Sequence, residues 1–470
     1  MATSEATAKR HYSDYITGPL VTPDLPPDSP GRKFPYVDHG TALPDPHELY
    51  SPEQARREWD HLWTKTWLLA GLASDAPEMG DYFTFDVGHE SFIIVRSAND
   101  HLAAFYNVCH HRGNRIVMSE FGSVTDCFRC AFHGWEYGLD GKLNHILDEQ
   151  SFRPETIADR PPLTSVRMDV WAGMVFICLD ENAPPLREFL SVLPGHLDPY
   201  KFENFRPIRD VSLVFDANWK VTLDAFNEVY HVCDVHPELI AFADPLNAQY
   251  DVFENGMSRM IVPRGYVPEE WGNADQINDG LRNQIISFGG DPDKYANIAG
   301  RDFRPHLCEI KRAWSRKNKL DYYEGLTDSQ VTDNWNYFVF PNVTLNVFSD
   351  ALMIQRFQPH PTDPEKCVYN ALFLSIPVPD PEYKAQDLGN MSQGGNVGPA
   401  GFTGEERPAR LHATTFEEMG YVLAQDARLV PEVQKGVKSR AFKGYRLSEQ
   451  EIRIRHMRAE LDHYLRGEKW

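Results

Sequence analysis

The chain has 470 residues, 42% hydrophobic and 24% charged, with a formal net charge of −21. That length holds two or three domains and a large core, and the composition is that of an ordinary soluble globular protein. The acidic balance excludes the basic footprint of a nucleic-acid binder and speaks equally against docking on anionic membranes.

In chain order, residues 1–45 are polar and Pro-rich and predict an extended arm. Ser51-Pro52 then reads as an N-cap with proline in the first turn of a helix running through EQARREWDHLWTKTW. From Trp67 to about Asp180 the texture changes to short alternating segments (YFTFDVG, SFIIVRS, LAAFYNV, GMVFICLD), which predict an all-β module. Beyond Pro185 the chain becomes mixed α/β. VSLVFDANWKVTL predicts a strand entering a helix that continues through DAFNEVYHVCDVH. Residues 255–333 are polar with weak helical signals. YFVFPNVTLNVF, LMIQRFQPH and VYNALFLSIPV predict neighbouring antiparallel strands. The Gly-rich tract Asn390–Gly404 lacks a phosphate-loop pattern and reads as a mobile surface loop, and SEQEIRIRHMRAELDHYLRG as an amphipathic helix packing on the sheet. The expected units are 1–65, 66–184 and 185–470, with 255–333 as an insertion in the last. The seven cysteines make no disulfide framework, and neither a signal segment nor a membrane-length run is present, so a cytoplasmic location is expected.

Inside the β module lie Cys109-x-His111 and Cys130-x-x-His133. Each cluster offers one thiolate and one imidazole, so two Cys can take one iron and two His the other, the division of labour of a Rieske [2Fe–2S] centre. Zinc accepts similar mixtures, but zinc knuckles do not need the flanking Gly113 and Gly134 or the apolar cover of Trp135. His110 is not expected to ligate, and Cys127 reads as a strand residue. The stretch resembles the Rieske domain of ring-hydroxylating oxygenase large (alpha) subunits, which read C-x-H-R-G and C-x-x-H-G-W. Respiratory Rieske proteins place a disulfide in these loops; here the corresponding positions are Asn114 and Phe132.

A second cluster lies in DAFNEVYHVCDVHPE. On one helix Glu228 and His231 would share a face, with Asp224 one turn back. His236, next to Pro237, can fold back towards His231. Two such His with a carboxylate from elsewhere would make a facial triad for ferrous iron that leaves positions open for O2. This region resembles the same family's catalytic helix, through Asn218-Trp219-Lys220, Asp224, Glu228-Val229-Tyr230-His231 and His236. The resemblance implies an α+β fold, with an all-β Rieske domain before a helix-grip-like antiparallel sheet. It implies His231 and His236 as ligands of a mononuclear Fe(II), and Asp426 as the best match for the third, with Glu417, Glu418 and Glu432 as alternatives. It makes Glu228 the carboxylate bridging to a Rieske His of a neighbouring subunit. It also implies a head-to-tail homotrimer, with or without a small beta subunit, fed with NAD(P)H electrons by a ferredoxin or flavin reductase. Many ring dioxygenases have Asp where Glu228 stands; Glu is also seen in members acting on quaternary amines.

Phe226, Asn227, Val232, Leu239, Ile240, Phe340 and Phe348 are the candidate pocket lining. An apolar lining favours cis-dihydroxylation of an aromatic or hydrophobic substrate. The alternative is a mono-oxygenase or N- or O-demethylase, with Tyr322, Tyr323, Trp335 and Tyr337 as a possible cation cage. A pure electron-transfer protein is the weaker option from another class.

Overall fold

The computed structural model describes residues 24–470 apart from 271, 392 and 393. Residues 1–23 of the expected arm lie outside the described residues. Ser51 opens the first helix, Pro52–Glu58, by accepting the Gln54 N–H at 3.2 Å, with Pro52 in the first turn. The helix then widens into a π turn, Trp59–Trp63. Buried Glu58 at its end accepts the Trp219 indole N–H at 2.8 Å and pairs with buried Lys220. The N-terminal helix is thereby fastened to the segment that carries the second candidate metal site.

The β module forms one four-stranded and two three-stranded antiparallel sheets. Alternation along the Glu90–Ala98 strand sends Phe92 and Ile94 into the main core. Ile93 and Val95 go into a separate cluster that encloses Cys109, Cys130 and Tyr137. The cysteine loops are therefore rooted in their own small core. Cys127 begins the Cys127–Arg129 strand, as expected.

The C-terminal part is built on an eight-stranded sheet. Its order is Gln249–Val252, Ser258–Val262, Asn334–Val339, Val343–Val347, Ala351–Pro359, Cys367–Ser375, Arg206–Phe215 and Arg410–His412. All pairs are antiparallel except the last, which is parallel. The strands expected from residue 334 onward are present. Ser258–Val262, inside the polar tract 255–333, is an additional buried strand. It tolerates a charge because Arg259 pairs with Asp251 and donates to the Pro30 and Arg32 carbonyls of the arm at 2.8 and 2.5 Å. Helices Asp279–Ser287 and Arg304–Lys317 follow. The terminal helix Ile452–Leu465 lies on the sheet, with Arg453 donating to Ser258 Oγ and Asn336 Oδ1. The class is α+β. No helix among the described residues is long and apolar enough to cross a membrane.

One expected element is corrected. The helix read through residue 236 ends at Asp224, and after a turn only Val232–Val235 is helical again. The break has a local cause: Glu228 Oε2 accepts the His231 backbone N–H at 3.1 Å, replacing a helical acceptor in a run with Asn and β-branched residues.

Candidate metal centres

The two cysteine loops close alike. The N–H of Cys109 donates to the Asn114 carbonyl and that of Gly113 to the Cys109 carbonyl, at 2.8 and 2.9 Å. Cys130, Trp135 and Gly134 repeat both bonds at the same spacing and the same distances. Gly113 and Gly134 fill the same loop position at φ +78° and +68°, where a side chain would be strained. The cysteines are buried and the histidines half-buried, so the imidazoles lie towards solvent. His111 and His133 meet with ring centroids 4.5 Å apart, and the indole of Trp135 stacks on His111 at 4.9 Å. Tyr137 Oη lies 3.5 Å from Cys109 Sγ, and the Asn114 amide N–H reaches Cys130 Sγ at 3.8 Å. Such donors to sulfur tune an iron–sulfur cluster. His111 Nδ1 is buried with no hydrogen-bond partner among the described residues, an orphan that a metal bond would satisfy. The residues fit a Rieske cluster. His110 instead turns its Nε2 to Thr164 Oγ1, and all seven cysteines are free of disulfides.

The second constellation joins residues far apart in sequence. His231, His236 and Asp426 place one ligand atom each within 4.8 Å of one another. Asp426 Oδ1 lies 3.0 Å from His236 Nε2 and 3.5 Å from His231 Nε2. Each imidazole is held from behind: His231 Nδ1 faces Glu228 Oε1 at 2.6 Å, and His236 Nδ1 faces Gln425 Oε1 at 2.7 Å. Acceptors at Nδ1 suit rings that carry a proton there, and with a metal bound in place of the Nε2 protons both Nε2 atoms could ligate it. Burial disfavours the charged His231 ring, but Glu228 and Asp426 outweigh it and lift its pKa to about 9 in the metal-free chain. The donor set, two imidazoles and one carboxylate, fits ferrous iron. Of the alternatives to Asp426, Glu417 pairs with Arg428, Glu418 caps Thr414 and Thr415, and Glu432 pairs with Lys435.

Asp224 is salt-bridged to Arg458 at 2.7 Å. With Glu228, His231 and Asp426 it borders a cleft of about 260 Å³ whose rim exposes Leu429 and Val433. Among the candidate lining residues, Phe226 stacks on Tyr369 at 5.9 Å and meets Phe357 tilted at 5.4 Å. Asn227 is fully buried beside it. Val232 belongs to a small apolar cluster against which Leu239 and Ile240 pack. Phe340 stacks on Tyr464 of the terminal helix, and Phe348 lies against Arg264.

The expected cation cage does not form. Trp335 and Tyr337 alternate with Asn336 and so lie on the opposite face of the sheet. Arg259 covers the Trp335 ring at 5.1 Å, the Tyr337 hydroxyl meets His196, and that of Tyr322 donates to the Ser349 carbonyl. Tyr323 packs against Trp314.

Sequence reasoning missed a polar ladder on the metal-facing side of the sheet. The Asn336 amide donates to Asn346 Oδ1, those of Asn346 and Thr344 Oγ1 to Gln355 Oε1, and Gln355 Nε2 to Tyr369 Oη, all at 2.8–3.0 Å. It also missed Gln425. Isolated Asn and Gln in strand or helix patterns carry no signal of this kind until the register is known.

Fold and sites together define a metalloprotein that pairs an iron–sulfur module with a mononuclear metal site. Residues 66–156 match the model of the Rieske [2Fe-2S] domain, and residues 202–467, more than half of the chain, match that of the ring hydroxylating alpha subunit catalytic domain. The chain belongs to the ring-hydroxylating oxygenase alpha-subunit family, whose two domains take a Rieske cluster and a mononuclear iron, with O2 as co-substrate. It is 30% identical over 323 residues to the naphthalene 1,2-dioxygenase system large oxygenase component of Pseudomonas putida, covering 67% of this chain and 68% of that one. It is 33% identical over 206 residues to the glycine betaine monooxygenase oxygenase subunit of Pseudomonas aeruginosa (strain UCBPP-PA14), covering 43% of this chain and 46%, about half, of that relative. In fold it is similar to a quaternary ammonium Rieske monooxygenase solved with L-carnitine (TM-score 0.60, 18% identity, covering 93% and 99% of the two chains). It is also similar to naphthalene 1,2-dioxygenase with indole in the active site (TM-score 0.62, 17% identity, covering 94% and 96%).

Proposed function

We propose that the chain is the terminal oxygenase of a multicomponent system and mono-oxygenates a polar small molecule, with hydroxylation or demethylation of a methylated amine favoured. In this reading residues 66–184 form the cluster domain, with Cys109, His111, Cys130 and His133 as ligands. Residues 185–470, joined by 1–65 and including 255–333, form the catalytic domain, with His231, His236 and Asp426 on iron. A ferredoxin or flavin reductase draws on NAD(P)H. Bound, the cluster supplies single electrons and the iron supplies O2 activation.

The chain's own residues do the positioning. Gln425 and Glu228 hold the Nδ1 protons of the two imidazoles and so aim both Nε2 atoms. Glu228 borders an open cleft, and no hydrogen bond or ion pair joins it to His133 within the chain, among the described residues. A second subunit bringing its own His133 to that cleft, in a head-to-tail trimer, would complete the link. Replacing Gln425 by alanine removes the His236 acceptor. Iron affinity at the mononuclear site is expected to fall about ten- to hundredfold, read by titrating Fe(II) into the apoprotein. Unchanged affinity would show that His236 needs no such support.

The observation carrying the substrate reading is the ladder Asn336–Asn346–Gln355–Tyr369. Hydrogen-bonding groups facing the metal segment suit a polar substrate better than a bare hydrocarbon. This reverses the preference for arene dihydroxylation drawn from an apolar lining, and the amine-oxidising relatives lend it support. The dihydroxylating reading keeps one observation of its own, the aromatic cluster of Phe226, Tyr369 and Phe357. A single turnover of chemically reduced protein under ¹⁸O2, with arenes, aryl acids and methylated amines offered together, separates the two. One labelled oxygen, or loss of a methyl group from an amine, is the expected result. Two labelled oxygens in one arene product would overturn the mono-oxygenase reading.

A further inference from the structure

We infer that Arg264 anchors a carboxylate of the substrate, so that the molecule oxidised is an anionic or zwitterionic acid. The inference deepens the function proposed above and rests on it for the place of the substrate between metal segment and sheet.

Arg264 follows the Ser258–Val262 strand by two residues and is 4% exposed. Its guanidinium lies between the rings of Phe242 and Phe348, with Cζ 4.9 and 4.8 Å from their centroids. Phe242 belongs to the chain just after His236, whose N–H···O turns run from His236 through Leu239 to Phe242. Phe348 lies two residues beyond Asn346 of the polar ladder. The cation therefore sits in the layer between the metal-bearing segment and the sheet.

Among the described residues no side chain completes it. Among the described residues, no hydrogen bond and no ion pair reaches the Arg264 guanidinium, and Nε is buried without a partner. Only its backbone N–H is used, donating to Asp333 Oδ1 at 3.0 Å. Neither nearby carboxylate bonds to it: Asp333 pairs with Arg304 and Ser329, while Asp350 takes the Tyr383 hydroxyl on Oδ2 and faces Lys311 at 3.9 Å with an Oδ1 that has no hydrogen bond among the described residues. Other buried arginines are bonded: Arg259 to Asp251, Arg356 to Asn370 and the Ala70 carbonyl, Arg453 to Ser258 and Asn336. Burial pulls Arg264 down to about 10, with Asp333 and Asp350 acting the other way, which still leaves a cation at neutral pH. A buried, unpaired cation is costly, and native folds keep such groups where something else satisfies them. Asn227, preceding Glu228, is likewise fully buried with neither amide atom bonded. Two rings fixing the plane of a guanidinium leave its N–H edge for a planar, two-oxygen partner, which a carboxylate supplies.

The test uses the full-length, metal-loaded protein and two matched pairs of probes in calorimetric titrations: glycine betaine with choline, and benzoate with benzyl alcohol. In at least one pair the carboxylate is expected to bind about tenfold to a hundredfold more tightly than the alcohol. Arg264→Gln should erase that difference through weaker binding of the carboxylate, and Arg264→Lys should keep part of it. No preference in either pair with the unaltered protein, or a preference that survives Arg264→Gln, overturns the assignment. The unaltered protein alone can give the first of these results, so a poorly folding variant does not shield the idea. A preference for benzoate, followed by two labelled oxygens in its product, would leave Arg264 as the anchor and overturn the mono-oxygenase reading instead.

Discussion

Asp426→Ala is expected to abolish product formation while leaving the iron–sulfur chromophore unchanged. The carboxylate contributes the Oδ1 that lies 3.0 Å from His236 Nε2 and 3.5 Å from His231 Nε2. Without it two imidazoles remain, and two of the three facial ligands bind iron weakly. Loss of a supporting second partner typically costs ten- to a hundredfold, so loss of a direct ligand should lower turnover by on the order of a thousandfold or more. Bound iron should drop from about three to about two atoms per chain, because the four residues proposed to hold the Rieske cluster lie in two loops of their own. A variant that keeps its third iron would place the carboxylate ligand elsewhere. Glu417, Glu418 and Glu432 would not be the first replacements, since each is already paired or capping at the surface.

The second large effect concerns Glu228→Gln. Its carboxylate accepts from the His231 backbone N–H and holds the His231 Nδ1 proton at 2.6 Å. The amide preserves shape and one acceptor but removes the charge. Both metals should stay loaded and the cluster should still be reducible with dithionite. Product formation should nevertheless fall at least about a hundredfold, because a carboxylate on a ligating histidine both orients it and raises its basicity. Stopped-flow decay of the reduced cluster in the presence of O2 and substrate gives the decisive reading. Normal turnover in this variant would sink the bridging role.

The candidate metal residues could be picked out of the sequence because the chemistry expected of them dictates local spacing. Cys109, His111, Cys130 and His133 sit in two short loops, and the glycines at φ +78° and +68° are the positions where such loops need them. His231 and His236 were readable for the same reason. Asp426 lies 190 residues from His236 in sequence, and resemblance rather than spacing pointed to it. What stayed hidden depended on tertiary partners. Arg259 disguised a buried strand as a polar tract, since carbonyls of a distant arm satisfy it. The helix through Glu228 read as continuous because propensity does not reveal a side chain competing for the backbone N–H of His231. Trp335 and Tyr337 looked like a cage until the pleat placed them behind the sheet. Asn336, Asn346 and Gln355, scattered over three strands, became one surface only with the register.

The matched closure of the two cysteine loops bears on how the cluster is installed. Each loop is held by two main-chain bonds that involve no sulfur and no imidazole nitrogen. Cys109 and Cys130 are rooted in a cluster of apolar side chains. Main-chain bonds and apolar packing of this kind hold a loop independently of its metal, so little chain entropy is expected to be lost when iron and sulfide bind. Oxidative loss of the cluster should then leave a folded domain ready for repair rather than an unravelled one, in contrast to small zinc modules whose fold depends on the ion.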